Sequence, residues 1–82
     1  MGLKKLAAKV AEYQERLAAG HAKKIEPEHV KQVLDKLRRK EADLLVRLAT
    51  ETDEAERADV ERKLHVAREH IERAEWLRRE LG

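Results

Sequence analysis

No cysteine and no phenylalanine occur in this chain, and proline appears once. Without cysteine there are no disulfides, no thiolate metal sites and no cysteine nucleophile, and cysteine usage says nothing about redox compartment. Long apolar runs are missing as well. Charged residues make up 44% of the sequence, and no stretch approaches the ~20 apolar residues that a membrane-spanning helix needs. The opening Met1-Gly-Leu-Lys-Lys-Leu has lysines without the apolar segment of a secretory signal, because Lys9, Glu12, Glu15 and Arg16 interrupt it. Leu6 stands where a myristoylation motif after Gly2 requires Ser or Thr. The expectation is a soluble, cytoplasmic chain with no membrane partner.

Aromatic residues are nearly absent too: Tyr13 and Trp76 are all there is. Stacking platforms for single-stranded bases are therefore lacking. Net charge is +2, the difference between 19 basic and 17 acidic side chains. So small an excess does not by itself point to a nucleic-acid partner. At 82 residues there is room for one domain, near the size at which a single core becomes marginal. Such a chain has little apolar surface to spare, and self-association would bury more of it.

What is present is helical periodicity. Leu3, Leu6, Val10, Tyr13 and Leu17 recur at alternating spacings of three and four, which predicts a first helix over about 3–19. Gly20 comes next, where a left-handed helix cap is common, and 20–26 reads as a connector. Pro27 suits a first helical turn, with Glu28 placed well against the helix dipole and Ile25 positioned to staple on Val30. From there Val30, Val33, Leu34, Leu37, Leu44, Leu45 and Leu48 form the face of a second helix over about 27–50. Residues 50–54 break it. Asp53 or Thr52 is the N-cap of a third helix, and Glu56 is spaced from Asp53 as in a capping box. Val60, Leu64, Ala67, Ile71, Ala74 and Leu81, edged by Val66 and Leu77, define that third helix over about 54–81.

The predicted fold is all-α. Two long amphipathic helices joined by a short break can face each other only by doubling back, so the second and third form an antiparallel hairpin. The shorter first helix packs at the open end and reaches only about as far as Leu44, which leaves Leu45 to Val60 as a two-helix arm.

Four features bear on function. Glu41 interrupts the apolar stripe of the second helix, and a carboxylate there needs a partner; matching layers across a turn near residue 52 sets it opposite Lys63, which predicts an ion pair with Lys63 or one across a dimer. His65 with Glu69, and Glu26 with His29, have spacings that metal sites use, but ordinary surface pairing is the default for such stripes. Lys36, Lys40 and Arg47 share a flank of the second helix, the best candidate phosphate contacts, although Asp35 and Asp43 dilute the charge. Trp76, Val46, Leu45 and His70 fall at or beyond the edges of the apolar stripes and are the candidate interface.

No Ser/His/acid arrangement, glycine-rich phosphate loop or acid pair is visible, so no catalytic residue and no cofactor is expected. The leading expectation is a non-catalytic interaction module, a homodimer or larger homo-oligomer, with a protein partner as a further candidate. DNA or RNA binding by the basic flank is the alternative, and metal or small-ligand binding between helices, through His65, Glu69 and His29, a weaker one.

Overall fold

The computed structural model describes residues 2–21, 23 and 25–81. Three helices run in order: α1 Leu3–Ala18, α2 Pro27–Thr50 and α3 Glu54–Leu81. No strand occurs among the described residues. α2 and α3 form the antiparallel hairpin and pack most extensively, while α1 packs against both. The body measures 47 × 19 × 18 Å, the proportions of a rod set by the longest helix.

Each helix end has a local chemical cause. Gly20 adopts φ +77°, and the amides of Gly20 and His21 donate to the carbonyls of Leu17 and Arg16 at 3.1 and 2.8 Å. This pair of bonds is a Schellman cap, in which the residue after the cap must be left-handed and glycine is the least strained choice. α2 opens with Pro27 in its first turn, and Ile25 lies in the same core cluster as Val30, as a hydrophobic staple requires. At the hairpin turn Asp53 is the N-cap: its Oδ1 accepts from the amides of Ala55 and Glu56 at 2.8 and 3.1 Å. The reciprocal bond of a capping box comes from the other side of the turn, because the Asp53 amide donates to Glu51 Oε1 at 3.1 Å. Glu51, and not Glu56, completes the cap. Arg57 then reaches back from α3 and donates to the carbonyls of Leu48 and Glu51 at 3.1 and 3.2 Å. A cation is thus bound at the C-terminal end of α2, where free carbonyls and the helix dipole favour it.

The core has two parts. At the open end, Leu6, Val10 and Tyr13 of α1 meet Ile25, Val30, Val33, Leu34, Leu37, Ile71, Ala74 and Leu77. Toward the turn, a smaller cluster holds Leu44, Val60, Leu64 and Ala67, with Leu48 packed on it. Leu3, in the first turn of α1, packs against both. Beyond it the hairpin continues as a bare two-helix arm, as the helix lengths predict.

These assignments set two stability expectations. Gly20→Ala forces a left-handed backbone on a β-carbon, and Asp53→Ala removes the α3 cap; each is expected to cost about 1 kcal/mol. In urea unfolding the two losses should add, since the sites share no partner, and each should lower Tm by roughly 4–8 °C.

Candidate functional site

Side-chain direction decides what lies across the hairpin. Glu41 Oε2 accepts from Arg68 Nε at 3.0 Å, whereas Lys63 Nζ lies 3.0 Å from Asp59. The expected Glu41–Lys63 pair is therefore replaced by Glu41–Arg68. The cause is the tilt of every Cα–Cβ bond toward its own helix N-terminus. In an antiparallel pair Glu41 leans away from the turn and Arg68 leans toward it, which favours a partner farther along α3 than Lys63. Arg38 and Glu75 form a second rung farther from the turn, at 3.6 Å. Glu41 is half-buried, with 29% of its side chain exposed; it sits at the edge of the seam, not within it.

The metal-spaced residues form simple pairs. His29 Nε2 lies 3.3 Å from Glu26 Oε2, and His65 Nε2 lies 3.1 Å from Glu69 Oε1. Among the described residues there is no group of three or more donors able to hold an ion.

His70 is half-buried, and its Nδ1 is buried without a hydrogen-bond partner among the described residues. Burial pushes its pKa below the ordinary imidazole value, the Arg73 charge adds to the effect, and Glu69 opposes it. Asp59 is shifted down in turn, first by the hydrogen bond from Lys63 and then by the Lys63 charge, with Arg62 and Arg47 contributing. Arg47 thus lies within electrostatic reach of an acid on α3. Lys36 and Lys40 line one shallow groove together with Leu6, Arg39 and Asp43, so the basic flank carries a carboxylate within it.

Four large apolar side chains are exposed: Leu45 at 42%, Val46 at 64%, Val66 at 37% and Trp76 at 41%. Leu45 lies one turn beyond Glu41. Val46 points away from the seam near the turn, whereas Trp76 lies toward the open end, beside Gln14 of α1 with Glu72, Arg73 and Arg79. Val46 and Trp76 therefore do not form one patch. Val66 is the residue that helical angle alone misplaces. It shares a stripe edge with Leu77, yet Leu77 is fully buried, because α1 covers that edge only as far as Leu3. At the step where α1 begins, Leu3, Ala7 and Val66 floor a groove of about 500 Å³ that Lys4, Lys40 and Lys63 rim. The signal for it in the sequence was the difference in helix lengths.

No family model, curated protein or solved structure matches this chain.

The Glu41 and Arg68 side chains are both partly solvated, so a double-mutant cycle with Glu41→Gln and Arg68→Met should give a coupling below about 1 kcal/mol. For His70 the unfolded state binds the proton more readily than the folded state, so stability rises with pH. It should be constant above about pH 6.5, the ordinary imidazole value, and fall as pH drops through that value toward the lowered folded pKa. Replacing His70 by Leu should flatten this part of a urea-midpoint profile.

Proposed function

We propose that the chain is a non-catalytic helical module that works by self-association, two copies burying apolar surface that one copy leaves open. The observation that carries this reading is the mismatch in helix length. α1 ends its cover at Leu3 and leaves Val66 open beside its first turns, and the arm also shows Leu45 and the outward Val46 to solvent. A domain this small gains a large fraction of its stability from any further burial, at about 25 cal/mol per Å² of apolar surface. The catalytic alternative has little support, since the titratable groups that stand out are accounted for by burial at His70 and by the Lys63 pair at Asp59. The nucleic-acid alternative is weakened by Asp43, which shares the groove of Lys36 and Lys40.

Sedimentation equilibrium over about 1–300 μM tests the reading. A mass that rises from one to two copies within that range is expected, with Kd in micromolar territory. A single-copy mass throughout would sink it.

A further inference from the structure

We propose that the lysine-rimmed groove at the start of α1 receives the acidic hairpin tip of a second copy, so that two molecules lap arm over arm, antiparallel, about a two-fold axis level with Ala58. The proposal rests on self-association and names its surface.

Three observations converge on this geometry. The first is shape. The groove floored by Leu3, Ala7 and Val66 continues toward the turn as a second groove along α3, where Val66 is followed by Arg62 and Ala58, with His65 and Glu61 at its edge. The two share Val66 and make one apolar seam on the arm. Ala58 and Ala55 are exposed, and side chains this small let a second helix approach closely.

The second is charge. Lys4 and Lys40 have no ion-pair partner among the described residues, and neither does Glu54, which shares the face of Ala58 and Arg62. Glu51 and Asp53 add to the tip, and their carboxylates already face the turn amides. One molecule therefore carries an open cationic site and an open anionic one on the same arm. Opposed potentials of this kind set partner and register more than raw affinity.

The third is spacing. Lys63 lies about 14 Å along α3 from Glu54, and Ala58 lies near the midpoint. An antiparallel pair centred on Ala58 sets Glu54 of the second copy level with Arg62, and Asp53 of the second copy level with Lys63. Both tips then reach both grooves at once. The interface is isologous and closes as a dimer instead of propagating as a fibre. Within it the second copy's arm continues the layer that α1 begins.

A charge exchange tests the arrangement. In one variant Lys4→Glu is combined with Lys40→Glu, and in the other Glu54→Lys is made alone. Each alone brings like charges together at both contacts, and its dimer Kd at low salt is expected to rise at least tenfold. Mixed in equal amounts, the two restore opposite charges at both contacts of the heterodimer, and Kd should return to within about threefold of the parent. Circular dichroism confirms that each variant is folded. A second probe does not depend on those changes. In a chain without native cysteine, Ala58→Cys at the axis should give a disulfide-linked dimer under mild oxidation, whereas Val46→Cys should not. A parent chain that dimerises with neither exchange sensitivity nor an Ala58→Cys link overturns the docking geometry and leaves self-association standing. A parent that stays monomeric overturns both.

Discussion

Arg57 ties the two halves of the hairpin together. Its guanidinium sits at the last carbonyls of α2, with bonds to Leu48 and Glu51, while Asp53 takes the first amides of α3. Helix ends are where backbone groups lose their partners, and a turn this short brings two such ends side by side. Here acidic side chains satisfy the donors and a basic one satisfies the acceptors. The register of everything beyond depends on that closure. Leu44 meets Val60 and Leu64 because the chain reverses where it does, and the long seam up to Leu34 and Ala74 inherits the same alignment.

The parts of this fold that were legible in the sequence are those whose causes lie within a few residues. Gly20 marks a left-handed cap because only its own backbone angle is involved. Ile25 and Val30 staple across one turn. The stripe of Leu3, Leu6 and Val10 is set by helical period alone. Glu41 shows where such reading stops. Counting levels from the turn matches α-carbons, but the charges sit at the ends of side chains that lean in opposite directions on antiparallel helices, and Arg68 takes the place of Lys63. Val66 shows a second limit. Its angle on α3 resembles that of Leu77, and what separates the two is the position at which another helix stops, a property of packing between distant segments.

The same separation governs the charged surface. With nearly half of the residues charged, a minority are held in direct pairs: Arg62 and Lys63 by Asp59, Arg38 by Glu75 and Arg68 by Glu41. Such pairs keep the surface wet and contribute little individually to stability. Specificity in a molecule of this kind resides in where the fold places charges relative to exposed apolar side chains. Trp76 is a different case. It borders α1 and is flanked by charges of both signs, so its indole is held against a mixed wall and adds no continuous apolar area.

The anchoring of α1 by Leu3 also divides the molecule into regions of unequal endurance. The open end is a three-layered core of many contributors, while the far end depends on Leu44, Leu48, Val60, Leu64 and Ala67, with Leu3 as the link between them. Local opening free energy tracks the apolar contacts that must be broken. The amides nearest the turn therefore exchange with solvent through small excursions of the arm, and those around Leu34 and Leu77 only when the whole domain lets go. A rod fastened at one end frays from the other.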